Sequence, residues 1–275
     1  MTTAVIESNS YVLGHSESEL DRLSAQAEIF EPATREVLLA AGLKPGMRVL
    51  DVGCGAGDVA FLASEIVGPA GQVVAVDRAP EALARASHRA GGRRLENILF
   101  EQGDPAEMEF QCDFDAVIGR LVLMYYAEPT DAVRKLAGKL RSGGVLLFQE
   151  LDGAGCFSWP PSPTYDSTIY LIRKALELSG APTRLGLRLY SIFQDAGLPA
   201  PEMRLFGAVG GGENHPVYSV VAESLRSLLP VLEKFGVITA KQLDVDSLAA
   251  RMRQEIIANR SVATSPSLIG AWVKK

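Results

Sequence analysis

Cysteine is scarce in this 275-residue chain. Cys54, Cys112 and Cys156 stand far apart. Their number and spacing exclude a disulfide framework and offer no zinc knuckle. No metal is expected, and a reduced, cytoplasmic setting is. Histidine is equally rare, at three residues, which narrows the field of general bases. No apolar run reaches eighteen residues, so no membrane span is predicted. The start of the chain has no basic region followed by an apolar core, so no signal peptide is expected. "MTTAVIESNS" reads as a loose tail. Positive charge is not in excess either. Lys and Arg number 27 against 33 Asp and Glu, a net charge of -6. That balance gives no basic face for nucleic acid. The small cluster of Arg85, Arg89, Arg93 and Arg94 reads as the solvated face of a helix. Internal repeats are absent.

What is present is ample core material, 47% hydrophobic residues. The length fits one sizeable domain with a lid or small second unit. Apolar residues at helical spacing predict a helix over 17–30 and a second from about Pro32 to Ala41. "MRVLDV" reads as a buried strand, followed by a helix from Asp58 to about Val67. "QVVAVD", "NILFEQGD", "FDAVIGR" and "GGVLLFQEL" read as four more strands. Helices from Pro80 to Ala90 and from Thr130 to Leu140 fall between them. Strands alternating with helices at this pace predict an α/β fold with a mostly parallel sheet and helices on both faces. After Leu151 the pattern changes. A Gly, Pro and aromatic-rich loop leads to a helix carrying Ile169, Ile172 and Leu176. Another helix runs from Leu185 to Ala196. "EMRLFGAVG" reads as a sixth strand, and "SLIGAWVK" as the closing one. Helices over 224–235 and 244–257 carry leucine-rich stripes, read as core packing and as material for a homodimer contact.

The most informative stretch is "VLDVGCGAGDVAFLASEI". It is a strand, a turn with Gly53, Gly55 and Gly57, and a helix. Glycine permits positive φ and close approach of backbone to a ligand. In an open parallel sheet such a turn lies where ligands collect. The glycines form GxGxG, not the GxGxxG of a dinucleotide loop. Asp51 would sit badly beside a polyphosphate and suits a ligand with an ammonium group. Asp77 ends the second strand, where a carboxylate can accept from both hydroxyls of a ribose. Asp104, in "QGDP", follows the third, where a carboxylate can accept from an adenine amine. Singly, each acid can be an ordinary turn or cap residue. Together, with the glycines among them, they point to an adenosine carrying a cationic amino-acid tail.

"VLDVGCGAGDVA", "VVAVDRAPEAL", "GDPAEM" and "FDAVIGRLVLMYY" resemble four successive motifs of the class I S-adenosylmethionine-dependent methyltransferase family, in its small-molecule branch. The resemblance is strong over roughly residues 33 to 150. It implies a Rossmann-like seven-stranded sheet, only the last strand antiparallel, with inserted lid helices. The expected organisation is an N-terminal helical segment over 1–32 and one domain over 33–275. Insertions for the acceptor are expected around 152–196 and 218–262. The implied cofactor is S-adenosyl-L-methionine. Position by position, Asp51 and the loop of Gly53, Cys54, Gly55 and Gly57 hold the methionine part. Asp77 holds the ribose, Arg78 flanks the adenine, and Gly103, Asp104 and Pro105 face its ring. Arg120 and Leu121 meet the methionine end. Tyr11 and Gln26 match residues that close over the cofactor in near relatives.

Methyl transfer is an in-line displacement with a neutral leaving group, so alignment and water exclusion are the main tasks. A base matters only when the acceptor has a high pKa. Its candidates are His215, Glu150, His15 and Asp152; His88 falls on an outer helix. His215 in "GGGENHPVY" reads equally as a turn histidine, and Glu150 as a hydrogen-bonding acid. Tyr125, Tyr126, Phe157, Trp159, Tyr165 and Tyr190 are expected to build a pocket for an apolar or aromatic small molecule, or simply to pack the lid. Other readings are a nicotinamide-dependent oxidoreductase and a catalytically silent cofactor-binding partner protein. The segment after the fourth strand, "GRLVLM", lacks the NPPY-like sequence of base-methylating relatives.

Overall fold

Alternation along the central strands decides the architecture. The structure, a computed structural model, describes residues 30–275. The predicted 17–30 helix and Tyr11, His15 and Gln26 lie outside the described residues. Helix α1 covers 30–41 and is already helical at residue 30, so Pro32 lies within it rather than at a new start. Strands β1 (Arg48–Val52), β2 (Gln72–Asp77), β3 (Ile98–Gln102), β4 (Phe114–Arg120) and β5 (Leu140–Asp152) pair in parallel. Between them run α2 (Asp58–Val67), α3 (Pro80–Arg93) and α4 (Pro129–Gly138). After β5 come β6 (Ser158–Trp159), α5 (Pro163–Leu178), α6 (Leu185–Asp195), β7 (Glu202–Phe206) and β8 (Val209–Gly210). Then follow α7 (Val217–Lys234), α8 (Ala240–Leu243), α9 (Val245–Ala258), β9 (Val262–Thr264) and β10 (Ser267–Lys274).

The seven-stranded sheet has the order β3-β2-β1-β4-β5-β10-β7. Only β10 runs antiparallel to its neighbours, β5 and β7. Val49, Val73, Ala75, Val145 and Leu147 face one core, shared with α1 and α2. Their neighbours Leu50, Val74, Val76, Leu146 and Phe148 face the other, shared with α4 and α6. This period of two, with both faces apolar, is what a sheet covered on both sides requires. Strand order reverses between β1 and β4, so a crevice opens at their carboxyl ends.

A third core joins α5, α7 and α9 apart from the sheet. Its leucines, Leu225, Leu228, Leu229, Leu232 and Leu248, are buried inside the chain. They are consumed by packing here, which removes the expected basis for a homodimer contact. The 152–196 block, predicted as one insertion, divides in two. Helix α5 joins the third core, whereas α6 packs on β5 and β10 through Leu185, Leu189, Ile192 and Phe193. A second sheet of three short strands, β6-β9-β8, ties the two parts together. Among the described residues no helix is long and apolar enough to cross a membrane.

Candidate active site

The β1–α2 turn is built from three left-handed glycines, with φ of 65° at Gly53, 52° at Gly55 and 92° at Gly57. Cys54 N–H donates to the Val76 carbonyl at 3.0 Å, which ties the turn to β2. Burial pushes the Cys54 thiol well above its ordinary value. Gly55 N–H donates to Asp77 Oδ2 at 2.8 Å, and Ala79 N–H donates to Asp77 Oδ1 at 2.9 Å. Asp77 therefore holds the loop as well as facing the crevice, with lone pairs left on each oxygen. A Cβ on Gly55 would meet nothing within 4 Å, so this backbone is open to a ligand. A Cβ on Gly53 would lie 2.4 Å from Val122 Cγ2. Gly53→Ala is expected to cost about 1–3 kcal/mol of stability through left-handed strain and overpacking. Thermal melting checks this, and an unchanged melting temperature would contradict it.

At the end of β3, Asp104 is fully engaged. Its Oδ2 accepts from Arg78 Nη2 at 2.6 Å, and its Oδ1 from the Tyr126 hydroxyl at 2.8 Å and Ala106 N–H at 3.0 Å. Burial alone would raise its pKa, but these donors hold the carboxyl below its usual range. The Arg78 guanidinium lies 5.0 Å from the centroid of the Tyr126 ring. At the carboxyl end of β4, Arg120 is partly buried and donates to Thr34 Oγ1 of α1 at 3.0 Å. Leu121 follows with φ 56°, a left-handed non-glycine residue. Its N–H donates to the Gln149 carbonyl at 2.8 Å.

Two carboxyls are buried with one oxygen unpartnered, Asp51 Oδ2 and Glu150 Oε2. Burial raises both pKa values to about 8, and at Asp51 the nearby Arg120 charge opposes the shift. Glu150 Oε1 accepts from the backbone N–H groups of Val122 (2.9 Å) and Leu123 (2.7 Å). Sequence reasoning places Glu150 at the end of β5. Its clasp on the turn after β4 is visible only in three dimensions.

These elements open onto a cavity of about 520 Å³. One half is lined by Gly53, Cys54, Gly55, Asp77, Arg78, Gly103, Pro105, Arg120 and Leu121, with Tyr125, Tyr126 and Glu150 beside them. The other half is mostly apolar, with Ile169, Ile172 and Leu176 from α5 and Val217, Val220, Val221 and Leu228 from α7. A model of the methyltransferase domain family matches residues 43–196, more than half of the chain. The chain belongs to the class I S-adenosylmethionine-dependent methyltransferases.

Among curated proteins, this methyltransferase domain is 34% identical over 120 residues to nocamycin O-methyltransferase of Saccharothrix syringae, covering 43% of each chain. It is also 34% identical over 148 residues to aklanonic acid methyltransferase DauC of a Streptomyces strain, covering 53% of this chain and 66% of that one. The matches thus span only 43% and 66% of these relatives' lengths. A methyltransferase structure from Aquifex aeolicus shares the fold, with a TM-score of 0.52, 22% identity and coverage of 71% of this chain and 92% of that one. A phosphoethanolamine N-methyltransferase of Haemonchus contortus does likewise, at 0.59, 18%, 97% and 60%.

Within the methyltransferase domain, several expected contacts are not made. Trp159 is 68% exposed, and Tyr190 on α6 is 47% exposed. Neither lines the cavity. Phe157 is likewise exposed. Tyr165 is fully buried in the third core, and its hydroxyl donates to the Thr264 carbonyl. Of the six aromatic residues expected to build the acceptor pocket, Tyr125 and Tyr126 border the cavity. Gly57 caps α2 instead of lining it. Asp51 and Asp104 also stand off the wall; Asp104 acts through Arg78 and Tyr126, which do line it. His215 reaches the apolar half. Its Nδ1 accepts from Val217 N–H at 3.3 Å, and burial lowers its pKa. The Cδ2–Nε2 edge of the ring packs against Gly210, where a Cβ would lie 2.1 Å from Cδ2. The residues missed were the inward faces of α5 and α7. The α5 stripe was legible, but a stripe alone does not separate cavity wall from core, and Val217, Val220 and Val221 precede the predicted helix start at Ser224.

The residues present fit the family's cofactor. Asp77 keeps lone pairs for vicinal hydroxyls, Gly55 leaves its backbone open, and Asp51 keeps an unpartnered oxygen at the end of β1.

Proposed function

We propose that this chain transfers a methyl group from S-adenosylmethionine to a small, largely apolar acceptor. The observation that carries this reading is the cavity itself, which joins the glycine loop and Asp77 to the apolar walls of α5 and α7. Two relatives carry a small molecule in their names, nocamycin and aklanonic acid, which supports that acceptor class. When bound, the cofactor supplies a methyl group activated by sulfonium charge. The chain's own residues do the rest. The Gly53–Gly57 loop, Asp77 and Arg78 would hold the adenosine and Arg120 the methionine carboxylate. The aliphatic walls exclude water, which suits a step in which charge disappears. Glu150, which borders the cavity and has its Oε2 without a partner, accepts the proton of the acceptor's hydroxyl as the new methyl–oxygen bond forms. The free thiols suit work in a reducing cytoplasm.

A dinucleotide is disfavoured by Asp77 and Glu81, which line the cavity beside the loop, since a diphosphate would meet carboxylates. Calorimetry with S-adenosylhomocysteine and with NAD tests the reading. We expect binding of the first with a Kd in the micromolar range, roughly -8 kcal/mol, and none of the second. Labelled methyl transfer to a panel of aromatic hydroxyl compounds follows. Silence toward S-adenosylhomocysteine would overturn the proposal.

A further inference from the structure

The apolar half of the cavity contains one feature that apolar packing does not explain. On α5, Ile169, Ile172, Arg173 and Leu176 share the inward face, at the i, i+3, i+4 and i+7 spacing of a helix. Three are aliphatic, as a wall requires. The fourth is a guanidinium. Among the described residues Arg173 has no ion pair and no hydrogen bond, although it is partly buried and lines the cavity.

Apart from Glu81, an exposed residue in the first turn of α3, the other charged groups of the cavity are partnered, Asp58 by Arg89. Arg78 is paired with Asp104 and Arg120 is bonded to Thr34. Asp77 is clasped by the loop, and Glu150 by the turn after β4. On α5 and α7 the cavity meets no charge besides Arg173. The same half is also bordered by Ser224, Ser265 and His215; the Ser224 hydroxyl donates to the Val220 carbonyl at 2.7 Å and the Ser265 hydroxyl to the Pro266 carbonyl at 3.1 Å, so neither hydroxyl is a spare donor. A planar cation with five donors, set in an aliphatic wall without an ion pair among the described residues, is built to receive an anion. In a low-dielectric chamber a carboxylate there gains more than it would at the surface.

We propose that the acceptor is an apolar acid, its hydrocarbon body between α5 and α7 and its ionised carboxylate on Arg173. This rests on the methyl-transfer reading of the same cavity and narrows its acceptor class. Arg173 is a specificity-determining residue: it selects for the anion and places the body of the molecule relative to the cofactor half.

The test uses the full chain saturated with S-adenosylhomocysteine. Calorimetry compares 2-naphthoate and decanoate with their uncharged amides, at a pH where both acids are ionised. The acids are expected to bind roughly ten- to a hundredfold more tightly than the amides. Arg173→Gln should erase that preference while leaving amide binding and S-adenosylhomocysteine affinity unchanged. Arg173→Lys, which keeps the charge but not the planar fork, should restore part of it. Should Arg173→Gln fail to fold, the wild-type comparison and the lysine variant decide. Equal affinity for acid and amide, a preference that survives in Arg173→Gln, or no binding of either acid overturns the inference. Failure to bind S-adenosylhomocysteine at the outset is the separate failure of the methyl-transfer reading.

Discussion

Asp77→Ala is expected to weaken S-adenosylhomocysteine binding by about two orders of magnitude, measured by calorimetry. Two losses combine. A charged hydrogen bond to the ligand contributes roughly 1.5–3 kcal/mol. The same carboxylate also accepts from Gly55 N–H and Ala79 N–H, so its removal frees the glycine loop. Asp77→Asn keeps an oxygen for one of these donors and should show a smaller defect. Unchanged affinity in the alanine variant would take Asp77 out of the site.

Glu150→Gln should lower kcat by about 10²–10⁴-fold, the range for losing a general base, with cofactor affinity intact. Glutamine keeps an oxygen for Val122 and Leu123 N–H, so the turn after β4 survives. The pH dependence gives an independent check. The folded pKa of Glu150 is raised by burial to about 8. Wild-type activity should therefore fall as pH drops below about 8, where the carboxyl gains a proton and stops serving as a base. Stability runs the other way. Unfolded chains ionise this group at ordinary carboxylate pH while the folded one holds its proton, so stability declines between about pH 4 and 8 and levels above. Glu150→Gln removes that contribution and should melt higher than wild type at pH 8, by a few degrees, with little difference at pH 5. Full activity with an unaltered pH profile would leave Glu150 a purely structural clasp.

Much of the site was legible because its signals are local. The three glycines, the acids at strand ends and the alternating strands all declare themselves within a few residues. The bounds of α2, β2 and β4 were read as they stand, since each is an uninterrupted apolar pattern closed by Gly, Asp or Arg. The acceptor half was not legible. Phe157 and Trp159 lie two residues apart at the start of the small sheet, so both point to the same, outward side. Strands of two or three residues carry no period to read. Helix α7 begins at Val217, about two turns before the predicted Ser224, because Val217, Tyr218 and Val221 extend its buried stripe behind the glycine run. Asp104 illustrates a subtler limit. Its position was foreseen, yet its partners Arg78 and Tyr126 lie 26 and 22 residues away along the chain.

The small sheet has a consequence for engineering. Its strands come from residues 158–159, 209–210 and 262–264, and they zip the α5, α7 and α9 bundle onto the main sheet. The acceptor chamber is therefore not a cassette. A chimera that imports only the α5 region from a relative would bring a β6 cut for a different β9. Transplanting a new acceptor preference means moving all three stitches together, or leaving them alone and repainting the inner faces of α5 and α7 by point substitution.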